Sequence, residues 1–265
     1  MAIIARLLSV LPSEFIERMY YSKFQSLFVS IYDILNRNER LKTYRIFDDI
    51  LIDIDLRKFG ERAIAFNAFE PVLSRKLLDI IKDDDVIFDV GSWIGYYTLL
   101  AAKKAKTVIA IEPDDTNYDR LKRNVQLNGF SNVTALNLAV GDKHSESILV
   151  KGPSTSNNRI DSEGVGKIVK IDTLDNIIDE LKINEIDVLI MDVEGYEYYA
   201  LKGLTRSLSK KALKNIFCEV HPDILRENGL SDRDVIDMLS ESEYGTEFLG
   251  KKYARPYHIH AKPIV

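Results

Sequence analysis

The chain has 265 residues and only one cysteine, Cys218, so it cannot build a disulfide framework or a cysteine-based zinc site. Cys218 lies in the apolar run at 215–220 and reads as an inert core residue. The four histidines, His144, His221, His258 and His260, show no HxxxH or related spacing. That leaves no zinc-hydrolase motif, and no bound metal is expected. Basic residues are outnumbered, 36 Lys and Arg against 41 Asp and Glu, for a net charge of −5. No broad basic surface is therefore available to neutralise a phosphate backbone. The Asn/Asp-Pro-Pro-Tyr/Phe tetrapeptide that grips an amino-bearing base is missing too. No stretch approaches the roughly 20 apolar residues that a membrane span needs. The short apolar start has no basic region before it, so no secretory leader is expected and a cytoplasmic location is the default. Internal repeats and low-complexity tracts are absent.

With 46% apolar residues, the chain has material for an α/β domain of about 180 to 200 residues and an appendage. Residues 1–66 read as the appendage and 67–265 as the main domain. In the appendage, Ile16, Tyr20, Phe24, Leu27, Ile31 and Leu35 recur at three- and four-residue spacing, the stripe of an amphipathic helix. Such a helix packs on the domain or on a second copy of the chain, which makes a homo-oligomer an expectation. Ile46 to Asp55 mixes apolar and acidic residues in near alternation and reads as a short strand or hairpin.

The most informative segment runs from Val86 to Ala102: a buried strand, a turn with Gly91 and Gly95, and a helix, with Asp89 at the strand's end. Trp93 stands where a dinucleotide fingerprint places its second glycine, which argues against a pyrophosphate. A ligand with an adenosine and no phosphates fits better, and S-adenosylmethionine (SAM) is the common one, its carboxylate near Gly95 at the helix N-terminus. A second strand, Thr107 to Ile111, ends in Glu112, whose carboxylate can accept both ribose hydroxyls. Asp115 or Thr116 can cap the next helix and Gly129 can stop it.

Asn132 to Val140 reads as the third strand, with Asn137 and Ala139 candidates for the adenine pocket. A polar loop at 151–159 lies between two apolar runs. A helix from Thr173 to Lys182, a strand from Asp187 to Asp192, another at 216–220 and an antiparallel strand within 253–261 complete the pattern. The expected fold is α/β: a doubly wound, mostly parallel Rossmann-like sheet with an antiparallel terminal strand.

Several ordered motifs carry a resemblance. They are Asp89-Val-Gly-Ser-Trp-Ile-Gly-Tyr-Tyr-Thr98, Glu112-Pro113, Asn124-Val-Gln-Leu-Asn-Gly129, Ala139-Val-Gly-Asp142, Thr173-Leu-Asp175, Asp192-Val-Glu-Gly195 and Glu219-Val-His-Pro222. In this order they resemble the FkbM-type SAM-dependent methyltransferases. The resemblance implies a class I methyltransferase sheet, SAM as cofactor at Asp89, Gly91, Gly95, Glu112, Asn137, Ala139 and Asp192, and a small-molecule acceptor. A sugar or other hydroxyl-bearing compound is the expected acceptor, methylated on oxygen. Two departures stand out: Ser92-Trp93 replaces the family's usual Ala-Asn, and Ile190 replaces a Lys two positions before Asp192.

Methyl transfer needs alignment above all, and a base helps when the acceptor is a hydroxyl. His221, with an ordinary pKa near 6.5, is the expected base, oriented by Asp192 or Glu194. A divalent cation on Asp192, Glu194 and His221 is an alternative for the same side chains. Rival functions are a nucleic-acid methyltransferase and a catalytically silent SAM-binding scaffold.

Overall fold

The computed structural model describes residues 41–47, 49–154, 156–250 and 256–264. The helix expected over Ile16 to Leu35 lies outside them. Strands β1 (Lys42–Ile46) and β2 (Ile50–Ile54) form an antiparallel hairpin, followed by helices α1 (Phe59–Ala65) and α2 (Pro71–Ile80). Strand and helix then alternate: β3 (Val86–Val90), α3 (Tyr96–Ala102), β4 (Thr107–Ile111), α4 (Asp115–Leu127) and β5 (Val133–Leu136). Four short strands, β6 (Ala139–Val140), β7 (Ser145–Val150), β8 (Arg159–Ile160) and β9 (Lys167–Asp172), make a separate sheet in the order β6-β9-β7-β8.

The second half of the main sheet comes from α5 (Leu174–Glu180), β10 (Ile186–Met191), α6 (Glu197–Lys202), α7 (Thr205–Ser209) and β11 (Leu213–Val220). Helices α8 (Pro222–Glu227) and α9 (Asp232–Glu241) lead to β12 (Tyr244–Leu249) and β13 (Tyr257–Pro263).

The main sheet has seven strands in the order β12-β13-β11-β10-β3-β4-β5. Only β13 runs antiparallel to its neighbours. It is the last strand in sequence, as expected, yet it sits one place in from the edge because β12 pairs outside it.

Side chains alternate across each strand. Phe88, Val90, Leu189, Met191, Ile216 and Cys218 share one core with Ile177, Leu201, Leu208 and Leu239 of the helices. Ile87, Val108, Val188, Ile190 and Phe217 pack with Leu73, Leu77 and Ala101 in another. Both faces are thus covered, which explains the nearly continuous apolar strands. Cys218 is buried, and burial pushes its thiol far above the ordinary range, so the inert reading holds. Ile190 is a core residue of the second cluster.

Two local expectations are corrected. The cap of α4 is Asp114, whose side chain accepts from the Asn117 amide, one residue before the expected position. The third strand is split: Asn137 Nδ2 donates to the carbonyls of Glu112 and Pro113 (3.0 and 3.3 Å), and the chain bends there. Ala139 then pairs with Ile171 in the second sheet.

The hairpin is fastened to α4. Asn124 Oδ1 accepts from the Asp53 amide at 2.8 Å, and Asn128 exchanges two 2.7 Å bonds with the Leu51 backbone. Arg120 adds a fork onto the fully buried Glu61, both bonds 2.6 Å. Gly129, at φ +65, ends the helix as expected.

Candidate active site

The chain progression reverses between β3 and β10, since β4 and β5 lie to one side and β11 to the other. Open parallel sheets bind ligands beyond the carboxyl ends of the strands at such a point. The register sets Val90 level with both Ile111 and Met191, and Met191 level with Cys218. Gly91, Glu112, Asp192 and the pair Glu219 and His221 therefore emerge on one rim.

At this rim lies a cleft, about 660 Å³ with its solvent-open mouth included, with Gly91, Trp93, Glu112, Ala139, Asp192 and Glu194 among its walls. Gly91 is there of necessity: at φ +83, a Cβ would stand 1.7 Å from the Asp192 carbonyl oxygen. Glu112 is buried, its Oε2 accepting from the Trp93 amide and its Oε1 from the Asp114 amide, each at 2.9 Å. Burial outweighs these donors and pushes its pKa up to about 8. Leu138, Val140, Leu149 and Ile160 supply an apolar flank.

Trp93 takes a positive φ of +50, a region that favours Asn or Gly over a bulky residue. The family's usual Asn suits that backbone. Here the indole offsets the strain by packing 5.9 Å from the Phe69 ring, with only 9% of the residue exposed.

Three expected cofactor residues do not line the cleft. Asp89 is buried and takes the Thr98 hydroxyl, with burial moving its carboxyl up to about 6. Gly95 caps α3 where a Cβ would meet Leu121 Cδ1 at 2.7 Å, so it serves helix packing. Asn137 is spent on the bend described above. Gly91, Glu112, Ala139 and Asp192 do line the cleft.

A second cavity of about 820 Å³ adjoins the first, bounded by Glu70, Asn157, Glu219, His221, Ile224 and Pro256 among others. Phe69, Ser156, Asp192 and Glu194 belong to both. Around His221 the carboxylates crowd: Nε2 lies 3.5 Å from Glu194, 3.9 Å from Asp192 and 4.0 Å from Glu219. Two-residue alternation past β11 delivers Glu219 and His221 together, as the sequence implies. Asp192 and Glu194 converge for another reason, a left-handed turn at Glu194 (φ +49).

Sequence reasoning missed the group that orients the imidazole. Glu197 is fully buried, and its Oε1 accepts from His221 Nδ1 at 2.7 Å and from the Gly195 amide at 2.9 Å. The signal was present as a third acid in Asp192-Val-Glu-Gly-Tyr-Glu197. Burial alone would lower the His221 pKa, but the Glu197 bond and the charges of Asp192 and Glu194 push it up to about 9. The carboxylates thus favour the charged imidazole, against the ordinary pKa from which a base was expected.

Burial first, then neighbouring negative charge, raises Glu219 well above the carboxylate range, and Asp192 shares a hydrogen bond with it. Glu194 is moved up to about 7 by burial and by Asp192. Glu70 and His258, also missed, join this cluster 2.9 Å apart, His258 standing opposite Glu219 in the ladder.

The cleft fits an adenosine cofactor without phosphates. A glycine, Gly91, opens the turn, a carboxylate rather than a basic group stands at the end of β4, and acids line the side toward β10. Comparisons with known proteins agree. Hexuronic acid methyltransferase AglP of Haloferax volcanii is 29% identical over 175 residues, 65% of this chain and 69% of that protein. An uncharacterised protein of Methanocaldococcus jannaschii is 48% identical over 78 residues, 29% of this chain and 27% of its own.

The crystal structure of a methyltransferase FkbM from Methylobacillus flagellatus superposes with a TM-score of 0.50 at 18% identity, which shows the fold. That match covers 77% of this chain and about half, 54%, of the other. Among the described residues, no helix is long and apolar enough to cross a membrane. The methyltransferase FkbM domain matches residues 89–248, from the strand before the glycine turn to the edge strand, and the chain belongs to this family of SAM-dependent methyltransferases.

Proposed function

We propose that this enzyme methylates a hydroxyl group of a small, uncharged, sugar-like acceptor. The observation that carries the reading is the shared wall: the cofactor cleft and the second cavity meet at Phe69, Ser156, Asp192 and Glu194. SAM supplies a methyl group on a positively charged sulfur, open to in-line attack by an acceptor oxygen. Glu112 would hold the ribose hydroxyls and the apolar flank the adenine, and an acceptor would bind in the second cavity across the shared wall, where alignment would do most of the catalytic work.

Glu194 is the residue we assign to receive the hydroxyl proton. Asn157 Nδ2 donates to its Oε1 at 2.9 Å, which leaves Oε2 free of that bond and 3.5 Å from His221 Nε2.

The relative AglP is named for a hexuronic acid, which supports a carbohydrate acceptor. This cavity, however, shows no Lys or Arg among its described lining residues, so a uronate carboxylate finds no guanidinium or ammonium partner there. A nucleic-acid backbone finds none either. Mass spectrometry of products from SAM and a panel of neutral glycosides, the matching uronates and short RNAs tests the assignment. Methylation of a neutral glycoside is expected; turnover confined to uronates or RNA overturns it. Glu194→Gln is expected to lower kcat about 100-fold, within the usual range for a lost base, while SAM affinity measured by calorimetry stays within about threefold.

A further inference from the structure

We propose that Asp192, Glu219 and His221 form a binding site for a divalent cation of the manganese type, beside the cofactor cleft. One ligand atom from each of the three lies within 4.8 Å of the others. Two ligands about 2.1 Å from one octahedral ion stand roughly 3 to 4.2 Å apart. An octahedral ion uses the two ends of that span, adjacent or opposite, so His221 Nε2, now 3.9 Å from Asp192 and 4.0 Å from Glu219, closes on at least one of them by about 1 Å when it ligates.

Proximity of acids alone would carry little, but two further features point to a missing partner. First, His221 is 7% exposed and makes its hydrogen bond through Nδ1, to Glu197. That bond fixes the imidazole with Nε2 directed among the three carboxylates, where a divalent cation takes the place of the Nε2 proton and binding releases that proton. A carboxylate behind the histidine is the usual support of a metal-binding imidazole. Second, Asp192 Oδ1 is shut off from solvent and has no hydrogen-bond partner. A buried acceptor left bare costs stability unless something fills the place.

The neighbouring set of Glu70, Glu219 and His258 also satisfies the proximity criterion. It differs in one respect: His258 Nε2 is already paired with Glu70 at 2.9 Å. That nitrogen is engaged, whereas His221 Nε2 is not.

The donor set selects the cation. Oxygen ligands suit magnesium and manganese, and one imidazole tilts the choice toward manganese. This goes against the expectation of no bound metal drawn from histidine spacing, because the ligands come from two strand ends rather than one motif. An ion there sits on the acceptor side of the shared wall and gives a hydroxyl oxygen a positive anchor.

Mn²⁺ titration of the chelator-treated protein, followed by electron paramagnetic resonance without SAM or acceptor, reads the site directly. One saturable site is expected, with nitrogen coupling from a histidine. Glu219→Gln and Asp192→Asn are expected to weaken it more than tenfold, and His221→Gln to abolish the nitrogen coupling. Glu197→Gln, which changes only the support, is expected to weaken it about 10- to 100-fold. Circular dichroism melts establish that each variant is folded. Absence of saturable Mn²⁺ binding in the folded wild type, or equal binding in Glu219→Gln and Asp192→Asn, overturns the proposal, as does a site that takes only zinc. Because no acceptor is present, an error in the acceptor class leaves this result untouched.

Discussion

The two walls of the cleft are built on opposite terms. On the β3–β4 side, the one carboxylate at the rim, Glu112, takes backbone donors on both oxygens. On the β10–β11 side, Asp192, Glu194 and Glu219 lie within 4.0 Å of one imidazole nitrogen and Asp192 Oδ1 has no donor at all. The first wall is complete without a ligand. The second carries like charges at close quarters, an arrangement that proteins keep at sites of chemistry rather than for stability.

The sharpest way to break the first wall is Gly91→Ala. The added methyl would fall 1.7 Å from backbone at φ +83, and backbone cannot swing aside as a side-chain tip can. A loss of about 4 kcal/mol or more is expected, at the upper end of single-substitution effects. Denaturant melts and SAM calorimetry check it, and a stably folded variant that binds SAM normally would show that the two strand ends can part.

Glu112→Gln comes next. An amide offers one acceptor oxygen where the carboxylate offers two, so either the Trp93 or the Asp114 amide loses its partner, at a cost of about 1 to 3 kcal/mol. SAM affinity is expected to fall about 10- to 100-fold, because the amide leaves one acceptor fewer for the ribose hydroxyls. The pH dependence has a definite sign. A carboxyl whose pKa rises from 4.5 unfolded to about 8 folded contributes stability that is present in full below pH 4.5 and lost as pH rises through 8. The melting temperature of the wild type should therefore decline across that window more steeply than that of the variant, and parallel curves would mean that Glu112 is not desolvated.

The two walls also differed in how far they could be read from sequence. Strand-turn-helix order, Gly91, Glu112 and the parallel core were legible because local spacing and apolar runs determine them. Asn124 and Asn128 stood in a motif whose purpose was hidden, since their partners Asp53 and Leu51 lie more than 70 residues away. Asp89, Gly95 and Asn137 were read as ligand contacts, and each also has a partner within the fold: Thr98, Leu121 and the Glu112–Pro113 carbonyls. A motif shows that a residue is constrained, not whether ligand or fold constrains it. On the second wall, Glu70, Glu197 and His258 escaped notice because they come from an N-cap, a helix start and an antiparallel strand, which no local pattern joins. The raised pKa of His221 escaped notice for the same reason: an ordinary pKa describes a lone imidazole, not one among four carboxylates.

The smallest expected effect separates the walls most cleanly. Glu219→Gln removes a buried carboxyl, as Glu112→Gln does, but the partner of Glu219 is another acid, Asp192. The new amide can donate to Asp192, so a hydrogen bond survives while a like charge disappears. In metal-free protein the melting temperature should stay within about a degree of the wild type or rise, the opposite of the Glu112→Gln result. A fall as large as that of Glu112→Gln would mean that the carboxylates of β10 and β11 hold the fold together, and the contrast between a finished wall and one kept open for ligands would fail.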